Sequence, residues 1–202
     1  MVILYQMSKR SLDIVGGFIG LLFILPFSPF IALAIFFESG GPILVKLDRM
    51  SGGKVIKVYK FRSMVRGAEK LKKDLIVLNE RKDGPLFKIK NDPRLTGVGK
   101  FLRKFRLDEF PQVINVLKGE LSLVGPRPHE PEEILQYPAE FKRLHFAKGG
   151  LTGLSQVMGA SALPFRKELE LDVYYLDNQS LWQDLKIIWK TIWIFFSDPT
   201  GV

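Results

Sequence analysis

The longest run of apolar positions in the chain lies near its N-terminus. The 24 residues from Ile14 to Phe37 carry no charged side chain, and a straight helix of that length would measure roughly 36 Å. Pro26 and Pro29 interrupt the run, and a proline inside a helix removes a hydrogen-bond donor and clashes with the preceding turn. The pattern therefore predicts a helix, a break and a second helix. Neither half alone would cross a bilayer core about 30 Å thick.

Positive charge lies on both sides of this apolar run. Lys9 and Arg10 precede it, and six basic residues follow it between positions 46 and 62. Because basic flanks favour the cytoplasmic side of a membrane, we expect both ends on one face. This predicts a re-entrant hairpin over residues 1–40, in which Ser28 satisfies backbone groups freed by Pro29. A single-span anchor and a buried helix of a soluble domain remain the alternatives.

Shorter patterns follow the hairpin. Residues 43–46 and 55–59 are rich in β-branched side chains and flank a Ser-Gly-Gly turn, which predicts an antiparallel β-hairpin. Residues 65–78 place apolar side chains at helical spacing beneath three lysines, and such a helix would lie on an anionic membrane or on a protein core. The expected fold is helix-rich mixed α/β, with a re-entrant membrane hairpin, a small antiparallel sheet and surface-lying amphipathic helices. Residues 41–202 are expected to form one integrated region.

A second apolar helix is predicted near the C-terminus. Ser180 is a suitable N-cap for a helix that continues to Phe196. Trp182, Trp189 and Trp193 are seven and four residues apart, so they share one face. Indole rings on one face suit both the headgroup level of a membrane and packing in a protein core.

The composition narrows the classes of partner. Hydrophobic residues make up 47% of the 202 positions, yet 30 Lys and Arg against 21 Asp and Glu leave a net charge of +9. An apolar and basic chain indicates an anionic partner, which could be nucleic acid, a phospholipid surface or a phosphorylated substrate. The absence of cysteine excludes disulfides, a thiolate nucleophile and cysteine-based metal sites, and the two histidines argue against a histidine-rich metal centre.

Two adjacent acids carry the candidate chemistry. Asp108 and Glu109 lie within Leu-Asp-Glu-Phe-Pro-Gln, ahead of an apolar segment that ends at Gly119. Asp108 is predicted to be the N-cap of a short helix, where the helix end would keep it ionised and bind a phosphate beside it. A carboxylate pair in a basic stretch can serve as nucleophile, general base or ligand for Mg²⁺. A capping acid beside a solvated one is the alternative.

Cations flank these acids in the sequence. Gly125-Pro126-Arg127-Pro128 predicts a rigid turn that fixes a guanidinium for bidentate phosphate binding. Lys60 and Arg62 come at the end of a predicted strand.

Taken in order, these motifs resemble the signature of the bacterial sugar transferases, the monotopic phosphoglycosyl transferases. The resemblance runs from about residue 9 to residue 193, and over this range the chain is similar to the catalytic core of polyprenyl-phosphate sugar-1-phosphate transferases. The segments that carry it are Lys60-Phe61-Arg62-Ser63-Met64, Asp92-Pro93-Arg94, Leu102-Arg103, Leu107-Asp108-Glu109-Phe110-Pro111-Gln112, Asn115-Val116-Leu117-Lys118-Gly119, Gly125-Pro126-Arg127-Pro128, Gly150-Leu151-Thr152-Gly153 and Asp172-Val173-Tyr174-Tyr175.

The resemblance implies a reaction. A sugar-1-phosphate would pass from a UDP-sugar to undecaprenyl (polyprenol) phosphate, with release of UMP, at the cytoplasmic face of the bacterial inner membrane. It implies Asp108 as the nucleophile that forms a covalent phosphosugar intermediate, and Glu109 as an Mg²⁺ ligand or a helper in the second half-reaction. It also implies Ser28-Pro29 as the break of the membrane hairpin. The substrate-binding residues expected from these motifs are Lys60, Arg62, Arg103, Gln112, Pro126 and Arg127.

Two departures from the family pattern bear on specificity. Leu47, Arg49 and Ser51 stand where the family usually has Gln and Gly around the arginine of the first hairpin, and Ala160 stands near the place of an arginine that many members carry. The implied partners are a UDP-sugar, undecaprenyl phosphate and membrane phospholipid, with no nucleic acid. The rival interpretation is a non-catalytic basic membrane-anchored adaptor that binds anionic lipid.

Overall fold

The N-terminal apolar run folds as two helices joined by a bend. The computed structural model describes residues 2–159 and 162–197, and in it α1 (Val2–Ile24) and α2 (Ser28–Ser39) meet at 58°. Within these residues no single helix is long and apolar enough to cross a membrane, whereas the bent pair together meets that criterion. The remaining helices are α3 (Ala68–Lys72), α4 (Gly97–Lys104), α5 (Val113–Lys118), α6 (Pro131–Ile134), α7 (Leu154–Met158), α8 (Phe165–Asp177) and α9 (Leu181–Ser197).

At the break between α1 and α2, Ser28 contacts a backbone carbonyl, although not the Leu25 carbonyl that Pro29 leaves without a donor. The Ser28 hydroxyl donates to the carbonyl of Ile24 at 2.8 Å, so it satisfies a backbone group in the last turn of α1. Most large side chains along both helices are exposed, which argues against a buried helix of a soluble domain. Ile24 and Ile35 are exceptions, since they pack with Phe61 and Leu102 in one core cluster.

Two small sheets lie beyond the hairpin. β1 (Leu44–Ser51) pairs antiparallel with β2 (Lys54–Phe61), which confirms the predicted β-hairpin with longer strands. Gly52 and Gly53 connect them at φ values of 60° and 74°, a left-handed conformation that glycine adopts without strain. β3 (Ser122–Val124) and β4 (Gly150–Thr152) form a second sheet that is parallel, so the prediction of a single antiparallel sheet is incomplete. The helix-rich mixed α/β fold is confirmed.

The amphipathic helix predicted over residues 65–78 is wrong in its extent. Only α3 and a 3₁₀ turn at Ile76–Leu78 are helical. A bridge between Met64 and Leu95 and a hydrogen bond from Val65 N to Arg94 O hold the start of the segment extended. Backbone pairing with a distant segment thus outweighs the local helical periodicity.

The C-terminal helix begins and ends close to the predicted positions. The Ser180 hydroxyl accepts from Gln183 N at 3.2 Å, as an N-cap does. Trp182, Trp189 and Trp193 are 67%, 70% and 64% exposed. The interpretation that the three indoles pack in a protein core is therefore wrong. Their placement at the headgroup level of a membrane stays a prediction.

α1 is fastened to the rest of the protein by a buried carboxylate. Asp13 is 2% exposed, and its carboxylate accepts from the Ser122 hydroxyl at 2.8 Å and from Leu123 N at 2.7 Å. Both donors belong to β3. Because hydrogen bonds to a charged group are among the stronger ones in proteins, this contact fixes α1 against the sheet.

Two further contacts extend the attachment along α1. The guanidinium of Arg10 donates to the carbonyls of Val116 and Leu117, both at 2.7 Å, and so satisfies the end of α5. Gly17 allows close approach of the same helix, because a Cβ at this position would lie 2.8 Å from Leu117 Cδ2. The helix that precedes the break is therefore packed directly on α5.

α9 is tied to α1 through one buried acid. Asp184 is fully buried, and it accepts from Lys9 Nζ at 2.9 Å, from the Tyr175 hydroxyl at 2.6 Å and from the Tyr5 hydroxyl at 3.1 Å. The exposed tryptophan face of α9 and the apolar surface of α1 are thus held in one fixed arrangement.

Candidate active site

The segment that carries the two adjacent acids begins differently from the prediction. Arg106, with φ of 52°, is the N-cap, and residues Leu107–Gln112 form a 3₁₀ helix that continues into α5. The prediction of Asp108 as N-cap is therefore wrong by two residues. Pro111 has no N–H to donate to the carbonyl four residues earlier, which explains why an α-helix begins only at Val113. Gly119 ends α5 as predicted, at φ of 80°.

Asp108 is buried and has no partner. Its side chain is 5% exposed, and within the described residues it makes no hydrogen bond and no ion pair. Burial is the largest influence on the pKa of Asp108 and raises it above the ordinary value, while the nearby Lys60 charge opposes the rise. Burial thus opposes the predicted ionisation of Asp108, and the charges of Lys60, Arg103 and Arg127 favour it.

Glu109 lies in a cluster of opposite charges. Its Oε1 contacts Lys60 Nζ at 2.6 Å and an Arg127 Nη at 3.3 Å, and Oε2 has no hydrogen bond within the described residues. Burial acts to raise the pKa of Glu109, but Lys60 and Arg127 together hold it far below the ordinary value. Lys60 and Arg127 therefore favour the ionised form of Glu109, and the carboxylate brings these two cations together.

These groups line a narrow cleft of about 20 Å³. Its walls come from β1, β2, the 3₁₀ segment, the Arg127 loop, β4 and α7, and the polar side chains along them are Arg49, Lys60, Glu109, Gln112, Arg127 and Gln156. Lys60, Arg127 and Gln112 are thus brought together as the motifs predicted. Three cations beside one anion give the cleft a positive charge suited to a diphosphate.

Close backbone packing positions Arg127. Gly125 N donates to Thr152 O at 2.9 Å, and Gly150 N donates to Pro126 O at 2.8 Å. A Cβ on Gly150 would lie 2.1 Å from Gly125 N, so no other residue fits there without moving the chain. Pro126 lies beside the cleft and fixes this loop through its carbonyl.

The other two predicted phosphate-binding cations, Arg62 and Arg103, do not line this cleft. Arg62 is 5% exposed, and its guanidinium donates to Gly41 O at 2.8 Å, to Ser39 Oγ at 2.7 Å and to Gly40 O. These contacts hold Arg62 at the end of α2 and outside the cleft, and its part in substrate binding stays a prediction. Arg103 is exposed on α4, donates through Nε to Ser63 Oγ at 3.0 Å, and lies near enough to Asp108 to lower its pKa.

A family model described as bacterial sugar transferase matches residues 4–198.

The chain belongs to the bacterial sugar transferase family.

Several curated members of the family are similar to this chain. It is 43% identical over 190 residues to the galactosyl transferase CpsE of Streptococcus agalactiae serotype III (strain NEM316), a match that covers 93% of this chain and 42% of that protein. It is 39% identical over 190 residues to the undecaprenyl-phosphate galactose phosphotransferase of Salmonella typhimurium (strain LT2), with 91% and 39% coverage. The chain thus spans about two fifths of these relatives. It also spans 92% of the exopolysaccharide production protein PSS of Rhizobium leguminosarum bv. phaseoli, at 37% identity over 199 residues and with 91% of this chain covered.

Two polar residues of the cleft were not predicted as site residues. Arg49 lies on β1 and contacts Glu130 at 3.4 Å, and Gln156 is 7% exposed with an Oε1 that has no partner among the described residues. Both stand at or beside the departures from the family pattern, and those departures were the signal in the sequence that could have identified them. Leu47 packs in a core cluster, and the Ser51 hydroxyl donates to Glu120 O at 2.7 Å, so neither reaches the cleft. Ala160 lies outside the described residues.

The acids offer a limited set of metal ligands. Within residues 2–159 and 162–197 no group of three or more acid or imidazole side chains could hold a metal ion. Asp108 and the Oε2 of Glu109 are nevertheless unpartnered carboxylate groups beside a cationic cleft. Mg²⁺ is commonly bound by one or two carboxylates together with substrate phosphates, so this donor set fits Mg²⁺ only in company with a phosphorylated ligand.

Proposed function

We propose that this protein is a phosphoglycosyl transferase that moves a sugar-1-phosphate from a UDP-sugar to undecaprenyl phosphate and releases UMP. Such a transfer is the first membrane step in the synthesis of a polysaccharide or other glycoconjugate. Support comes from family membership and from relatives whose names state undecaprenyl-phosphate galactose phosphotransferase and UDP-glucose:undecaprenyl-phosphate glucose-1-phosphate transferase. The observation that carries the proposal is a buried, unpartnered Asp108 next to the cationic cleft.

The first half-reaction is a displacement at phosphorus. A carboxylate oxygen of Asp108 forms a bond to the sugar-linked phosphorus, the bond from that phosphorus to the bridging oxygen breaks, and UMP leaves with the electron pair. Lys60 and Arg127 from the cleft, together with Arg103 near Asp108, would offset the charge of the diphosphate oxygens. The cleft is smaller than a UDP-sugar requires, so we expect the donor to lie across its mouth.

The second half-reaction restores Asp108. A phosphate oxygen of undecaprenyl phosphate attacks the phosphorus of the aspartyl intermediate, the bond to Asp108 breaks, and undecaprenyl-diphosphate-sugar forms. Glu109 keeps Lys60 and Arg127 in place during both steps. Asp108 and Glu109 would hold Mg²⁺, which when bound supplies further charge neutralisation at the diphosphate.

The membrane placement forms part of the same proposal. The bent pair α1–α2 would enter and leave the cytoplasmic face of the inner membrane as a re-entrant hairpin over residues 1–40, and residues 41–202 would form one catalytic region on that face. Exposed apolar side chains on α1, α2 and α9 support this placement. One substrate is soluble and the other has its phosphate at the membrane surface, so fixing the height of Asp108 makes their encounter local.

Intact-mass analysis tests the chemistry directly. The detergent-solubilised protein is incubated with Mg²⁺ and UDP-galactose, UDP-glucose or UDP-N-acetylgalactosamine, without acceptor. We expect one donor to give a mass increase of one phosphosugar together with one equivalent of UMP, and undecaprenyl phosphate to remove the adduct. Asp108→Asn should give neither, whereas Asp177→Asn, a surface substitution, should behave as the wild type.

Two outcomes would contradict the proposal. Product that accumulates without any adduct would exclude the covalent route. Failure of every UDP-sugar to release UMP, with lipid binding retained, would favour the non-catalytic adaptor.

A further inference from the structure

A second cavity lies on the far side of α7. It measures about 400 Å³ and opens between α7, α8 and α9, and it shares no lining residue with the cleft at Glu109. Leu154, Val157 and Ile187 supply its apolar wall, and Gln183, Lys186 and Lys190 supply polar groups from one face of α9. The proposed reaction uses none of these residues.

The polar side of this α7–α9 cavity is suited to an anion. Lys186 and Lys190 have no carboxylate partner in the part of the chain that the structure describes. The recorded contact of Lys190 is with Met158 Sδ at 3.2 Å, a weak acceptor, and Lys186 lies over the Trp182 ring. The N-terminus of α9, a helix of 17 residues, lies at the same cavity and adds its positive end.

One acceptor in the cavity also lacks a partner. Gln183 Oε1 is shielded from solvent and receives no hydrogen bond from the described residues. A shielded carbonyl oxygen without a donor is costly, so a ligand in the cavity that supplies a hydroxyl or similar donor would favour rotation of the Gln183 amide toward it. The cavity therefore suits a ligand that carries both a phosphate and a hydroxyl.

The position of the cavity indicates where that molecule comes from. On α9 the exposed apolar side chains form a stripe, made of Trp182, Leu185, Trp189, Ile192, Trp193 and Phe196. Lys186 and Lys190 lie along one side of this stripe, because each follows a stripe residue by one position. If the stripe rests in the membrane interface, both lysines stand at the level of the lipid phosphates.

We propose that the α7–α9 cavity binds the headgroup of an anionic bilayer phospholipid. The phosphate lies between Lys186 and Lys190, a headgroup hydroxyl donates to Gln183 Oε1, and the acyl chains follow the apolar stripe of α9. The inference goes beyond the transfer reaction and rests on the membrane placement proposed above. The occupant is a bilayer phospholipid rather than the polyprenol acceptor, because the acceptor phosphate must reach Asp108 and this cavity shares no residue with that site.

Native mass spectrometry after reconstitution tests the site. The protein is placed in nanodiscs of phosphatidylcholine with one tenth phosphatidylglycerol, and retained lipids are identified on release. A basic residue near an anionic surface contributes about 1 kcal/mol, which is about fivefold in affinity, so Lys186→Gln with Lys190→Gln should lower phosphatidylglycerol retention roughly 25-fold. The control pair Lys142→Gln with Lys167→Gln removes the same charge from exposed positions elsewhere and should leave retention unchanged.

A third variant tests the hydroxyl contact. The wild type should retain phosphatidylglycerol over phosphatidic acid, which lacks the headgroup hydroxyls, and Gln183→Leu should remove that preference. UMP release in detergent should stay at wild-type levels in all these variants, which separates failure of this site from failure of the transferase.

Three results would overturn the inference. The first is equal retention in the cavity and control pairs. The second is a Gln183→Leu variant that keeps the preference for the glycerol headgroup. The third is displacement of phosphatidylglycerol by one equivalent of undecaprenyl phosphate, which would assign the cavity to the acceptor.

Discussion

Substitution of Asp13 by alanine should uncouple the N-terminal helix from the catalytic region. The change removes the carboxylate that accepts from the Ser122 hydroxyl and from Leu123 N, and leaves both donors buried without a partner. An unpaired buried donor costs about 1–3 kcal/mol, so the two together should lower the free energy of unfolding by about 2–6 kcal/mol. Since about 1 kcal/mol shifts Tm by roughly 2–4 °C in a domain of this size, Tm should fall by roughly 4–24 °C.

Two further variants make this prediction specific. Asp13→Asn keeps an oxygen that can accept from Leu123 N, so it should cost only about 1–2 kcal/mol. Ser11→Ala removes an exposed hydroxyl of the same helix, which donates to Met7 O at 3.1 Å, and should leave Tm unchanged. Thermal unfolding in detergent, followed by tryptophan fluorescence, measures all three, and UMP release at 20 °C reports whether the site survives. A Tm for Asp13→Ala within 2 °C of the Ser11→Ala control would refute the reasoning.

Three other predictions follow from the contacts. Lys60→Met should lower kcat/KM for the UDP-sugar roughly 10- to 100-fold, because Glu109 loses its 2.6 Å partner and the cleft loses a cation, and unchanged UMP-release kinetics would contradict this. Gly150→Ala should abolish transfer by forcing the Arg127 loop apart, whereas activity near that of the wild type would show that the loop tolerates the Cβ. Burial raises the pKa of Asp172 to about 7, so the carboxyl stays protonated in the native protein at pH values where it is ionised in the unfolded chain. Its contribution to the free energy of unfolding is full below about pH 4 and is lost as the pH rises through 7. Asp172→Asn should therefore remove a stability loss of up to about 4 kcal/mol, seen as a smaller Tm difference between pH 5 and pH 8 than in the wild type; equal differences would argue against it.

Features with a local cause could be predicted from the sequence. Two prolines are enough to break the apolar run, and the Ser28 hydroxyl finds its carbonyl four residues away. Gly52 and Gly53 lie between complementary strands, so the turn and the register follow from neighbouring residues. Ser180 similarly caps the helix that begins directly after it.

Features that depend on distant partners could not be predicted. A basic side chain near acidic motifs looks like a phosphate ligand, yet the Arg62 guanidinium donates hydrogen bonds to backbone carbonyls more than twenty positions earlier. The periodic segment is extended only at its start, where Met64 bridges Leu95 and Val65 N donates to Arg94 O. The cleft joins Arg49, Glu109 and Gln156 from three separate parts of the chain, and no local pattern brings them together.

The attachment of α1 to β3 and α5 has a consequence for the choice of host lipid. Because Asp13 fastens this helix to β3 and Arg10 fastens it to α5, which continues the segment that bears Asp108, the insertion depth of the helix would set the height of the proposed nucleophile. Under the proposed membrane placement, longer or shorter acyl chains would create hydrophobic mismatch with the inserted helices and would shift that height against the phosphate of the proposed acceptor. Donor cleavage draws on a soluble molecule and is indifferent to such a shift. Bilayer thickness should therefore control the discharge of the loaded enzyme and leave its loading unaffected.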